Sequence, residues 1–112
     1  MAYDEELAHR IRAQIGADPD LTEKKMFGGL AFLIRGNMAV AASRQGGVLV
    51  RVDPGQSEKL CATTPAEMAV MQGRAMPGWL RVGPDDVRTA RQLSRWVTTG
   101  TTYARSLPAK MK

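Results

Sequence analysis

His9 is the sole histidine and Cys61 the sole cysteine of the 112-residue chain. A Ser-His-Asp or Cys-His nucleophile system would have to draw on His9, which helical spacing sets on the polar side of the first expected helix. Cys61 has no neighbour in sequence that would favour its thiolate, and it reads as a partly buried structural thiol. A single cysteine excludes an internal disulfide and a cysteine-cluster zinc site, and one His beside scattered carboxylates makes no metal set. The adjacent carboxylates Glu5-Glu6 and Asp85-Asp86 both fall in first turns of expected helices, where the dipole favours acids. A two-carboxylate hydrolytic pair is therefore not supported. Met26-Phe27-Gly28-Gly29-Leu30 matches neither common phosphate-binding glycine loop, and apolar strand follows it rather than a helix N-terminus. No catalytic residue, metal, cofactor or small-molecule substrate is expected, and the chain is read as not an enzyme.

Charge offers a different chemistry. Sixteen Lys and Arg against eleven Asp and Glu give +5 and a pI near 9.9. Residues 1–23 hold six acids and two bases, and residues 74–112 hold eight bases and two acids. A basic half can hold phosphates by releasing their counterions, or pair with an acidic protein. On a helix of 100° per residue, Val87, Ala90, Leu93, Trp96 and Val97 form one apolar face. Arg88, Arg91 and Arg95 lie within about 60° of one another on the other side. With Lys24 and Lys25, they are the candidate contacts to nucleic acid or an acidic partner. Aromatic residues are 5% of the chain. Phe27, Phe32, Trp79 and Trp96 all sit in apolar patterns that read as core rather than as stacking platforms.

These residues must be carried by definable elements. Leu7, Ala8, Ile11 and Ile15 make a helical stripe from Asp4 to Ile15, with Asp4 as cap and Gly16 as stop. Thr22 to Phe27 is a candidate strand, and Gly28-Gly29 is expected to relieve a bend or bulge behind it. Leu30 to Arg35 and Met38 to Ser43 flank a two-residue Gly36-Asn37 turn. Gly46-Gly47 turns the chain into the β-branched strand Val48 to Val52. After Asp53-Pro54-Gly55, Ser57 caps a short helix to Ala62. Met68 to Gln72 and Trp79 to Val82 are short strands joined by a loop through Gly73, Pro77 and Gly78. Pro84-Asp85-Asp86 opens the last long helix, which Gly100 should stop near Thr99; Thr101 onward adds a helical turn.

The order is helix, three strands, short helix, two strands, helix. That is a two-layer α+β domain, with a three-strand antiparallel meander plus two short strands packed with N- and C-terminal helices. Hydrophobic residues at 44% and charged residues at 24% are ordinary globular values, and 112 residues suit one domain, 1–112. The longest apolar run, Leu30 to Ile34, is far short of the ~20 residues a membrane helix needs. The acidic start is unlike a secretory signal, so a cytoplasmic location is expected. The Met- and Val-bearing strands suit a sheet-edge or sheet-face homodimer.

Several stretches resemble one family. Lys25-Met26-Phe27-Gly28-Gly29-Leu30-Ala31-Phe32 followed by Gly36-Asn37-Met38-Ala39 is similar to a signature of the TfoX/Sxy N-terminal domain. So are Leu49-Val50-Arg51-Val52-Asp53, Met76-Pro77-Gly78-Trp79-Leu80-Arg81-Val82 and the terminal helix leading into Tyr103-Ala104-Arg105-Ser106-Leu107-Pro108. The resemblance runs over roughly residues 3–108. It implies a secretion-chaperone-like antiparallel sheet and a bacterial cytoplasmic protein. It also implies a regulatory role, since founding members control natural competence with a cyclic-AMP receptor protein at promoters. Those regulators carry a second, helical domain after this one, whereas this sequence stops at Lys112, so a stand-alone N-terminal domain is expected. The expected function is a non-enzymatic regulatory domain contacting a transcription complex or nucleic acid through a basic C-terminal helix. The alternative is a dimeric protein-interaction or chaperone-like module without a nucleic-acid role.

Overall fold

A computed structural model describes residues 4–16, 18–26, 29–43, 46–71 and 73–108. Helix α1 is Glu5–Ile15, and Asp4 caps it by accepting the Leu7 N–H at 3.1 Å. Strands β1 (Leu21–Met26), β2 (Gly29–Ile34), β3 (Asn37–Ala42) and β4 (Val48–Arg51) follow as a meander. Helix α2 is Ser57–Thr63, strands β5 and β6 are Glu67–Met71 and Arg74–Val82, and helix α3 is Ala90–Ser106. The fold is α+β, with one six-stranded antiparallel sheet ordered β1-β2-β3-β4-β6-β5. The meander has four strands, one for each of the four candidate segments between Thr22 and Val52, so the expected count of three is one short. The chain leaves β4, crosses through α2 to the far edge, and returns as β6 between β4 and β5.

All three helices lie on one face. Leu7, Ala8 and Ile11 of α1 and Leu93, Trp96, Val97 and Ala104 of α3 share a core with Phe32, Ile34, Val40, Val50, Leu80 and Val82. Leu60 and Cys61 of α2 pack at its margin. Burial of so many branched side chains, each worth roughly 1.5–3 kcal/mol, is the main force holding the layers together. The other face carries a smaller cluster of Ala31, Met38 and Ala41, with Leu33, Leu49 and Trp79 packed around them.

Several local expectations are corrected. The β2–β3 turn is Arg35-Gly36, both at positive φ (54° and 83°), and Asn37 is the first residue of β3. There the buried Asn37 side chain donates to the Pro108 carbonyl at 2.8 Å, which ties down the chain after α3. Between β2 and β3 the register shifts at Phe32/Leu33, opposite Ala39; of the bend expected at Gly28-Gly29, the described part is Gly29, paired with Met26 of β1. Phe27 and Gly28 are outside the described residues. Strand β6 is nine residues long. Pro77 and Gly78 form an irregular stretch inside it rather than a loop, and Gly78 has φ 91°.

Ser57 is the first residue of α2 rather than its cap. Its buried hydroxyl accepts the Gly78 N–H at 2.7 Å, while the Val52 N–H donates to the Gly78 carbonyl at 2.8 Å. Both backbone groups freed by the irregularity are thus satisfied.

The last helix differs most. Pro84–Val87 is a separate 3-10 turn, and the chain is extended at Thr89 before α3 begins. Thr89 accepts the Gln92 N–H at 3.1 Å and the Gln92 side chain accepts the Thr89 N–H at 3.0 Å, a reciprocal cap. Gly100 does not stop the helix. It is buried within α3, where a Cβ would run into the carbonyl oxygen of Ala39. Glycine costs a helix interior about 1 kcal/mol, but here it lets the helix lie directly on β3. Ala90, expected on the apolar face, is exposed, and Trp79 is half-buried on the helix-free face.

Candidate functional site

The five cations expected to act together fall into two regions. Arg91 and Arg95 stand one turn apart on α3, opposite the face that carries Leu93, Trp96, Val97, Gly100 and Ala104. Arg88 precedes the helix, so helical spacing does not place it. It is exposed beside the start of α3 and contacts Asp85 at 3.3 Å. That pair is largely exposed and contributes little stability. Arg95 lies 5.5 Å from the Trp96 ring centroid. Lys24 and Lys25 belong to β1, the outermost strand next to β2, whereas α3 lies over β2, β3 and β4. As neighbours on a strand, Lys24 and Lys25 point to opposite faces of the sheet. Arg91 and Arg95 share one side of α3, and Arg88 is exposed just before the helix.

The third arginine of α3 is committed to an ion pair. Arg105 pairs with Asp18 in the turn after α1. Hydrogen bonding from Arg105, and then from the Asp20 N–H, holds the Asp18 carboxyl below its ordinary range. Arg12 grips Glu23 of β1 with two bonds of 2.5 and 2.6 Å, and that hydrogen bonding lowers the Glu23 carboxyl as well. Arg10 donates to the Val87 and Arg88 carbonyls at 3.0 and 2.9 Å. The acidic start and basic end thus meet in one ion pair, Asp18–Arg105, while Arg88, Arg91 and Arg95 stand exposed.

A constellation absent from the sequence reading is centred on Arg51 of β4. Its guanidinium lies 5.2 Å from the Trp79 ring centroid and 5.8 Å from that of Tyr103. Each residue comes from a different one of the similar stretches, 49–53, 76–82 and 103–108. Arg51 and Trp79 are cross-strand partners, but no sequence spacing places Tyr103 beside them. An open groove of about 470 Å³ next to it is lined by Val52, Asp53, Leu60, Thr98, Thr102 and Tyr103 among others. Its walls are mainly apolar and hydroxyl-bearing, with one carboxylate, and they assemble no acid–base pair.

A smaller cleft of about 330 Å³ joins Glu67, Arg81 and Asp86. His9 is exposed and Cys61 half-buried. Among the described residues no group of three His, Cys, Asp or Glu side chains could hold a metal ion, and no helix is long and apolar enough to cross a membrane.

An open antiparallel sheet with helices on one face, and with Arg91 and Arg95 exposed on the longest of them, defines a small α+β domain. The family model of the TfoX N-terminal domain matches residues 13–104, and the chain belongs to that family, which is linked to competence regulation. No curated protein matches the chain, and no solved structure does.

Proposed function

We propose that this chain is a non-enzymatic regulatory domain linked to transcription control, and that Arg88, Arg91 and Arg95 contact the phosphate backbone of nucleic acid. The observation that carries this reading is the position of Arg91 and Arg95 one turn apart on the exposed side of α3. Guanidinium groups so placed can each hold a phosphate without disturbing the core. Lys24 and Lys25 on β1 add general positive potential rather than a shared contact.

The test is fluorescence anisotropy with a labelled DNA duplex and single strand, from low to near-physiological salt. The expected result is micromolar binding that weakens steeply as salt rises. Replacing Arg88, Arg91 and Arg95 with Ala should flatten the salt slope by about three charges' worth of counterion release. An unchanged slope in that variant would remove these arginines from the interface.

A second reading is favoured by the face that no helix covers. Ala31, Met38 and Ala41, with Leu33, Leu49 and Trp79 around them, suit docking of a protein partner. Its signature is a protein complex that persists at high salt with no affinity for either nucleic acid.

A further inference from the structure

The two edges of the sheet are built differently. The outer strand β1 carries Glu23, Lys24 and Lys25 within six residues, the kind of charge that blunts an open edge. The opposite outer strand β5, Glu67-Met68-Ala69-Val70-Met71, has a single charge at its start. No strand lies outside it, so alternate N–H and C=O groups along it face away from the sheet. Val70, in the same strand, is 61% exposed and is the one large hydrophobic so exposed among the described residues. An unguarded rail of backbone groups and an uncovered valine occur together.

We propose that β5 pairs antiparallel with β5 of a second copy of this chain, across a two-fold axis at Ala69. This inference is independent of the arginine reading. Centred on Ala69, and on no other residue, the pairing engages all five residues of both strands. Met68 then stands opposite Val70 of the other copy, which covers the exposed side chain. Glu67 stands opposite the other copy's Met71, and Met71 is in turn paired with Arg74 of β6.

Cross-strand partners share a face, and two strand spacings are about 10 Å, which extended Glu and Arg side chains can span. Glu67 of each copy is thus brought into reach of Arg74 of the other, twice by symmetry. Glu67 and Arg74 are both exposed, and among the described residues neither makes an ion pair within one chain, although Glu67 stands opposite Arg81 of β6. This charge match selects a second copy as the occupant. A contact one strand wide buries less than the ~1,200 Å² of a standard interface, so the dimer is expected to be weak and dynamic.

The experiment is sedimentation equilibrium of the full chain from about 10 µM to 1 mM, a range chosen for a weak interface. The wild type is expected to pass from monomer to dimer. Val70→Lys loses the burial of a valine in each copy, two per dimer, and should weaken dimerisation at least about tenfold. Glu67→Arg should weaken it as well, and adding Arg74→Glu to that variant should restore it. A wild type that stays monomeric throughout overturns the proposal. So does a dimer indifferent to both single variants, or a Glu67→Arg defect that the charge swap fails to rescue. The charge pair serves as the readout if Val70→Lys compromises folding.

Discussion

The two faces of the sheet are chemically unlike although they alternate along the same strands. On β2, Phe32 and Ile34 go to the helix-covered side, while Ala31 and Leu33 go to the other. The covered face is filled by bulky or branched residues, Phe32, Ile34, Val40, Val48, Val50, Leu80 and Val82, none more than marginally exposed. The helix-free face uses Ala31, Ala41 and the adaptable Met38, closed over by half-buried Leu33, Leu49 and Trp79.

Small residues leave little apolar area to hide, and longer neighbours hide most of it. The sheet therefore stands without a second helical layer, and one face can specify the fold while the other stays available for contact.

Neighbouring substitutions on β2 test this difference most strongly. Phe32→Ala should cost about 3–5 kcal/mol, enough to unfold a large fraction of a domain this size. Next comes Gly100→Ala, which forces α3 off the Ala39 carbonyl and should cost about 1–3 kcal/mol. Its melting temperature should fall by roughly 4–8 °C per kcal/mol. Leu33→Ala, on the helix-free face next to Phe32, should cost only about 1 kcal/mol because its side chain is half-buried. Urea midpoints of the three variants rank them. Equal losses at Phe32 and Leu33 would mean that the two faces carry similar packing energy.

The smallest effect is in the pH dependence. Asp18 and Glu23 have carboxyls held below their ordinary values of 3.8 and 4.5 by Arg105 and Arg12. Each stabilises the folded chain fully above its unfolded value and loses that contribution as pH falls through the lowered folded value. Stability should therefore decline below about pH 4.5. Glu23→Gln should make the decline shallower in urea titrations at pH 7, 4 and 3. An identical acid limb in that variant would show that the Arg12–Glu23 pair contributes nothing to it.

Much of this was legible from local pattern. The stripe of α1, the alternation of Phe32 and Ile34 with Ala31 and Leu33, and the glycine-marked turns placed most elements within a few residues. Thr89-Ala90-Arg91-Gln92 is a capping-box pattern that marks the start of α3, and it competes in the sequence with Pro84, since proline also favours a first turn. Gly100 is ambiguous in the sequence for a stronger reason. A glycine that stops a helix and a glycine that lets a helix approach a strand look the same in sequence. The two-residue turn was placed one position late because Asn favours both turn sites and strand ends. Asn37 is held in β3 by its bond to Pro108, a partner 71 residues away.

Composition, period and turn chemistry are properties of neighbours along the chain. They were sufficient for the α+β fold and for a last helix that carries exposed arginines. Which arginines enter these ion pairs was settled by folding, because Asp18 reaches Arg105 and Glu23 reaches Arg12 only once the layers have closed. The meeting of Arg51, Trp79 and Tyr103 arises in the same way. So does the unguarded edge at β5, which follows from β6 inserting between β4 and β5. Such features depend on which distant segments are pressed together when apolar area leaves water, a choice made by the whole core at once rather than by any one stretch of sequence.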